Sequence, residues 1–309
     1  VEPGPVWHIT SFYRFTPIEE IVVGQVKATL FDWLAEREMR GLVLVAPEGL
    51  NGTVAGSASN IDDFKAFVQN LVGLNDFRFK DATSAVRPFR RLTVDRREEI
   101  VGLKRPDLVP QDLEDHHLTP RQWHEWLLSD RQKLVIDTRN QYETVAGKFK
   151  GAIDPQLSTF SDWSKYLDKA EIPKDTPVLM YCTGGIRCEK AILEMRSRGF
   201  DQVYQLRDGI LGYLAEYPEG EFEGECFVFD DRVTVGPDLQ PTGHFGICPG
   251  CGLTASKVFI CEWCNKEFFC CPTCEAGRPS VCSKTCLDKW KHLGRGNGAE
   301  SKVEHRTQE

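Results

Sequence analysis

Two groups of cysteines in this chain have the spacing for chemistry, and the first is a single thiol. The stretch Pro177-Val-Leu-Met-Tyr-Cys-Thr-Gly-Gly-Ile-Arg187 runs from an apolar strand, through two glycines, into the start of a helix. A loop between a strand end and a helix N-terminus can turn its backbone N–H groups inward at the positive end of the helix dipole, which makes an anion cradle. Cys182 stands at the base of that cradle, Thr183, Gly184, Gly185 and Ile186 form its wall, and Arg187 follows. A helix N-terminus and a guanidinium both favour a thiolate and bring a cysteine from about 8.5 toward roughly 3.5 to 7.5. Cys182 is therefore the expected catalytic nucleophile and Arg187 its electrostatic partner, whereas Cys188, in the first helical turn, is expected to pack.

The second group is the tail, where nine of the twelve cysteines fall between Cys248 and Cys286. The pairs Cys248/Cys251, Cys261/Cys264, Cys271/Cys274 and Cys282/Cys286 supply eight thiols, enough for two tetrahedral four-sulfur zinc sites. Pairing of these turns is either sequential or interleaved, and Cys270 could substitute for Cys271. Clustered CxxC turns of this kind point to metal ligation in a reducing compartment rather than to disulfides. Trp263, Phe268, Phe269 and Trp290, interleaved with Lys284, Lys289, Lys291, His292 and Arg295, suit single-stranded RNA, where bases stack and phosphates pair.

The elements that must position these residues read as two α/β patterns. Residues 1–104 give strand 6–13, helix 17–40, strand 42–46, a Pro-Glu-Gly-Leu-Asn-Gly turn at 47–52, strand 52–55, helix 59–71 and strand 77–80. This βαββαβ order predicts a ferredoxin-like (acylphosphatase-like) α+β domain. A polar hinge over 105–120 carries Asp115, His116 and His117, expected to be solvated. From 121 to 218, strands 133–137, one ending at Cys182 and 202–206 alternate with helices 121–128, 160–167 and one ending at Arg198, which predicts an α/β domain with a parallel sheet. Its functional loops lie at the C-terminal ends of the strands, where both Cys182 and Asp137 fall. Asp137 and Arg139 are expected to form a buried ion pair that supports the cysteine loop. Glycine, acidic and aromatic residues over 219–246 read as a linker, 247–295 as the cysteine-rich module and 296–309 as a disordered tail.

The formal net charge of −8 argues against a general nucleic-acid coat protein, but it averages over local patches. Nine basic residues lie between Arg78 and Arg105, and among them Arg87, Arg90 and Arg91, beside Phe89, are the candidate phosphate contacts. No uninterrupted apolar run of about eighteen residues and no secretory leader is visible, so no membrane association and a cytoplasmic location are expected.

Four residues separate Cys182 from Arg187, whereas the phosphate loop of cysteine-type phosphatases is longer. The tighter loop, together with Val135-Ile-Asp-Thr-Arg139, Glu143, Gly147-Lys-Phe-Lys-Gly151 and Val203-Tyr-Gln-Leu-Arg-Asp-Gly209, resembles rhodaneses, although Asp208 stands where they commonly have glycine. Ala46-Pro-Glu-Gly-Leu-Asn-Gly-Thr-Val-Ala-Gly56, Tyr181 to Lys190, Gly224-Glu-Cys-Phe-Val-Phe-Asp-Asp-Arg-Val233 and the paired-cysteine tail extend the resemblance over residues 6–290. Together they resemble the rhodanese-domain tRNA uridine hydroxylase family. The resemblance implies oxygen-dependent formation of 5-hydroxyuridine at the wobble position, tRNA (its anticodon arm) as partner, molecular oxygen as co-substrate and a required Cys182. An oxygen-activating cofactor has no signature here: there is no dinucleotide fingerprint, haem attachment motif or two-histidine, one-carboxylate set. The rival readings are a persulfide sulfurtransferase and a non-enzymatic RNA- or protein-binding adaptor.

Overall fold

The structure is a computed structural model and describes residues 6–110 and 114–293. Two compact units divide the chain after Gly243. The stretch 296–309, expected to be disordered, lies outside the described residues.

The first unit opens with β1 (Trp7–Phe15), α1 (Glu20–Glu36), β2 (Arg40–Ala46), β3 (Gly49–Gly56), α2 (Ala58–Val72) and β4 (Arg78–Ser84). This is the expected acylphosphatase-like order, with the antiparallel sheet β4-β1-β3-β2. The expected 17–40 helix stops at Glu36, because Glu38 turns to a φ of 52° and the chain re-enters the sheet at Arg40. Ser57 caps α2 by accepting the Asn60 N–H, and Gly73 ends it in the left-handed region. Ile61, Phe64 and Val68 share one face of α2 at helical spacing and pack with Phe12, Val43 and Val54 on the sheet.

A fifth strand, β5 (Leu92–Arg96), runs parallel to β2 and extends the sheet. It lies inside the segment read from sequence as a charged run, but Leu92-Thr-Val-Asp-Arg96 keeps a strand alternation and buries Val94.

Next come β6 (His117–Leu118), α3 (Pro120–Leu128), β7 (Leu134–Asp137), α4 (Gln141–Thr144), β8 (Gly147–Phe149), α5 (Trp163–Lys169), β9 (Val178–Tyr181), α6 (Ile186–Ser197), β10 (Val203–Leu206) and α7 (Gly209–Glu216). The sheet order is β6-β10-β9-β7 and every pairing is parallel, as expected. All four β9 residues are buried, the pattern of a central strand covered on both faces. Val178 and Met180 join the α5–α6 side, and Leu179 and Tyr181 join the Trp123–Phe149–Tyr213 side. His117 enters this sheet through β6, so the end of the expected hinge is structural.

The segment 219–246 differs from the linker its composition suggests. It forms β11 (Phe222–Gly224) against β8, and β12 (Cys226–Phe227) against β13 (Thr234–Val235), and it buries Phe222, Cys226, Val228 and Val235 in the second core. Gly224, where a side-chain carbon would lie 2.4 Å from the Ala146 carbonyl oxygen, allows close strand approach.

The second unit holds two small hairpins, β14 (Gly246–Ile247) with β15 (Thr254–Ala255) and β16 (Val258–Ile260) with β17 (Glu267–Phe269), then α8 (Pro272–Gly277) and α9 (Lys284–Leu293). Its two small cores are built largely of cysteine and aromatic side chains.

Candidate functional site

Cys182 follows β9 directly and is 1% exposed. Its Sγ accepts a hydrogen bond from the Gly185 N–H at 3.1 Å, so this loop N–H faces inward onto the sulfur. Gly209 forms the opposite wall at a φ of 64°, where a side-chain carbon would lie 2.5 Å from the carbonyl oxygens of both Cys182 and Thr183. Those carbonyls instead accept hydrogen bonds from the N–H groups of Ile210 and Leu211 at the start of α7, at 3.0 and 3.2 Å. Thr183 Oγ1 reaches Glu143 Oε2 at 3.4 Å and the Phe227 carbonyl at 3.3 Å.

Burial alone pushes the Cys182 thiol up. A hydrogen bond from Cys188, the Arg187 charge and the N–H groups of Arg187 and Gly185 outweigh it and bring the thiol down to about 6. Cys188 is buried, as expected, yet it also serves the loop, and its own thiol is pushed well up by burial and by Cys182. Its Sγ lies 3.4 Å from Thr138 Oγ1, which donates to the Tyr181 carbonyl.

Beyond its backbone N–H, Arg187 acts on Cys182 through the charge of its side chain. Its guanidinium is occupied by Glu143 on α4 in a two-bond pair, Nη1 to Oε1 and Nη2 to Oε2, both 2.7 Å. Both side chains are buried. Burial disfavours the guanidinium charge and Glu143 more than restores it, so Arg187 is held charged. The cradle itself is therefore backbone N–H groups and the α6 N-terminus. Asp137 and Arg139 form the expected buried pair, closest at 2.7 Å, and Arg139 Nη2 also donates to the Gly147 carbonyl.

The roof of the loop comes from the acylphosphatase-like domain. Alternation along β1 puts Phe12 on the face packed with α2, and hence Ile9, Ser11 and Tyr13 on the opposite face; Lys80, the β4 partner of Ser11, shares that second face. A side-chain carbon at Gly185, whose φ is 99°, would lie 3.0 Å from the Tyr13 hydroxyl. Tyr13 donates to Glu189 Oε1 at 2.8 Å, and Gln205 donates to the same oxygen at 2.8 Å. His117, expected to be solvated, is half-buried, its side chain only 9% exposed beside Glu189 at 3.2 Å. Lys80 Nζ lies 4.9 Å from the centre of the Tyr13 ring and 3.6 Å from Asp208, and burial lowers its pKa. Asp208, at a φ of 61°, thus takes the place of a glycine and supplies a carboxylate for Lys80. Lys190, one turn into α6, is fully buried between Glu48 at 2.7 Å and Glu99 at 2.6 Å and ties the two domains together.

Tyr13, Lys80 and Glu189 were not found as site residues from sequence, and His117 was read there only as a solvated hinge residue. The one signal was the strand alternation that separates Tyr13 and Ser11 from Phe12. Arg87, Arg90 and Arg91 are exposed. Other members of the basic run are paired within their own domain: Arg96 with Glu20, and Arg97 with Asp95 at 2.8 Å.

In the second unit the tail thiols gather into two groups, Cys248, Cys251, Cys271 and Cys274, and Cys261, Cys264, Cys282 and Cys286, with all sulfurs of a group within 4.8 Å of one another. The pairing is interleaved, first turn with third and second with fourth. Cys270 stands outside both groups, 3.9 Å from Cys248. Sulfur separations of 3.5 Å (Cys251–Cys271), 3.5 Å (Cys264–Cys282) and 3.7 Å (Cys282–Cys286) approach the ~3.8 Å edge of a tetrahedron with metal–sulfur bonds of about 2.3 Å. Both groups can therefore hold a metal ion.

Residues 7–100 match the UPF0176 acylphosphatase like domain, residues 120–216 the Rhodanese-like domain and residues 223–287 the Rhodanase C-terminal model. A tRNA uridine(34) hydroxylase of Bdellovibrio bacteriovorus is 40% identical over 284 residues, which cover 91% of this chain and 80% of the relative. Proteins of the same name from Acinetobacter baylyi (40% over 259 residues, 82% of this chain and 81% of the relative) and Caulobacter vibrioides (38% over 282 residues, 88% of each) are also similar. Among the described residues no helix is long and apolar enough to cross a membrane.

Proposed function

The chain belongs to the tRNA uridine(34) hydroxylase family, and from that premise we propose that it hydroxylates C5 of the wobble uridine of tRNA with Cys182 as the catalytic thiol. The observation that carries this reading is the Cys182 thiol itself, held in a cradle of N–H groups and brought down to about 6, so that it is mostly thiolate at neutral pH. Addition of the thiolate to C6 of uracil forms a C–S bond and moves the C5=C6 electron pair onto C5 and O4. C5 then becomes the carbon that reacts with molecular oxygen, the proposed co-substrate. Loss of the C5 proton and of the thiolate restores the ring, and the second oxygen atom leaves as water at the expense of an external two-electron donor. In this reading Lys80, which packs beside Tyr13 and Asp208 at the loop, holds charge or a proton at O4.

The base must leave the anticodon stack to meet a thiol this buried. The anticodon arm is accordingly the proposed partner, with Arg87, Arg90 and Arg91 on its phosphates, and such a substrate puts the protein in the cytoplasm.

We assign zinc to both thiol groups, since four sulfurs gathered within 4.8 Å of one another favour that ion, in a structural role. Metal analysis of protein purified without chelator is expected to give about two zinc ions per chain. A reproducible value near zero, with the eight thiols titrating as free, would rule the assignment out.

Nucleoside mass spectrometry of tRNA from cells with and without the gene tests the activity. One extra oxygen on position 34 that depends on the gene is expected. A gene-dependent gain of sulfur would instead point to persulfide transfer, and unchanged nucleosides would remove the enzymatic reading.

A further inference from the structure

The turn Phe227-Val-Phe-Asp-Asp-Arg-Val233 is held by its own hydrogen bonds and carries an aromatic ring outward. Val228 and Phe227 are buried, the Val228 N–H donates to the Val233 carbonyl at 2.9 Å, and Asp230 and Arg232 form a buried fork with bonds of 2.8 and 2.6 Å. Between them Phe229 is 51% exposed. Its ring meets Phe227 edge to face at 5.2 Å, and the Arg187 guanidinium lies 5.5 Å from its centre. This places Phe229 against the arginine whose charge holds the Cys182 thiolate.

The same turn is fastened to the basic segment. The Asp231 N–H donates to the Pro88 carbonyl at 2.7 Å, and Arg90 reaches Asp231 at 3.4 Å while its side chain stays 82% exposed. The turn that presents this aromatic face beside Arg187 is thus tied to the segment that carries the exposed Arg87, Arg90 and Arg91. The ring packs edge-on against Phe227 and over the Arg187 guanidinium, which leaves about half of it open to solvent. A π-face flanked by cations is the surface that unpaired nucleobases and their phosphates recognise.

We propose that Phe229 is a stacking platform for an unpaired base of the RNA loop that carries the reacting uridine, with Arg87, Arg90 and Arg91 holding the adjoining phosphates. The proposal rests on the tRNA hydroxylase reading. It adds a binding residue to it, since Phe229 selects single-stranded over paired nucleotides at the mouth of the cysteine loop.

The test compares tRNA binding and hydroxylation by the full-length wild-type, Phe229→Ala, Phe229→Trp and Arg87/Arg90/Arg91→Ala proteins, each checked by circular dichroism and thermal melting. Phe229→Ala is expected to weaken tRNA binding and raise KM by about tenfold with kcat within about threefold, and Phe229→Trp to restore both. The slope of log affinity against log salt is expected to stay the same in Phe229→Ala and to become shallower by up to roughly one per lost contact in the triple variant. If a folded Phe229→Ala binds tRNA as the wild type does while the wild type hydroxylates position 34, the platform is wrong and the activity stands. A wild type that leaves position 34 unmodified overturns the activity on which the platform rests. A change in oligomeric state in Phe229→Ala, read by light scattering, would make the ring a protein contact and overturn the proposal as well.

Discussion

Cys182→Ser is expected to lose hydroxylation of position 34 by about 10³-fold or more while folding and binding tRNA as the wild type does. Serine keeps the loop's size and can accept the Gly185 N–H, so the cradle is retained. What it removes is the anion, because a hydroxyl stays protonated at neutral pH whereas the Cys182 thiol is brought down to about 6. The same cause gives a pH signature. Alkylation of Cys182 by iodoacetamide, followed on its peptide by mass spectrometry, should fall about tenfold per unit below pH 6 and level off above about 7. Cys188→Ala deletes a thiol that hydrogen-bonds to Cys182, so the inflection should move up. Wild-type hydroxylation by the serine variant would remove the catalytic role and leave the rhodanese domain as a scaffold.

The loop was readable because its chemistry is local. A strand end, two glycines and a helix start fall within a dozen consecutive residues, and dipole and cradle follow from that order alone. The CxxC turns are local for the same reason, but the choice between sequential and interleaved groups depends on how two hairpins and two short helices pack, and only the structure supplies it. Tyr13 and Lys80 show the opposite case. They reach the loop from more than a hundred residues away, and their common face is set by the β1–β4 register, to which a single sequence gives only the clue of alternation. Charge patterning misled where charge and strand coincide: β5 hides in the basic run, and β11–β13 hide in a glycine- and acid-rich stretch that buries Phe222, Cys226, Phe227, Val228 and Val235.

Glu143 carries the second large effect. Arg187 is buried with one carboxylate on its fork, so Glu143→Ala strands a guanidinium that cannot lose its proton and should destabilise the first unit by about 3–5 kcal/mol. Glu143→Gln keeps the shape and should cost less, yet it removes the negative charge that balances Arg187. If the variant keeps Arg187 in place, Cys182 sits beside an uncompensated cation, and its alkylation inflection should move below about 6 rather than above it. The sign separates this pair from the other buried one. Asp137→Asn also strands an arginine and should lower thermal stability to a similar degree, but Arg139 is turned toward Gly147 and the Tyr181 ring, so the inflection at Cys182 should stay where it is. Thermal melts and alkylation profiles of the two variants, measured together, decide the matter. Loss of stability in both with a downward inflection in Glu143→Gln alone would mark Glu143 as the residue that sets how strongly Arg187 acts on the thiol. Equal inflections would mean that the backbone cradle and Cys188 set the thiolate without it.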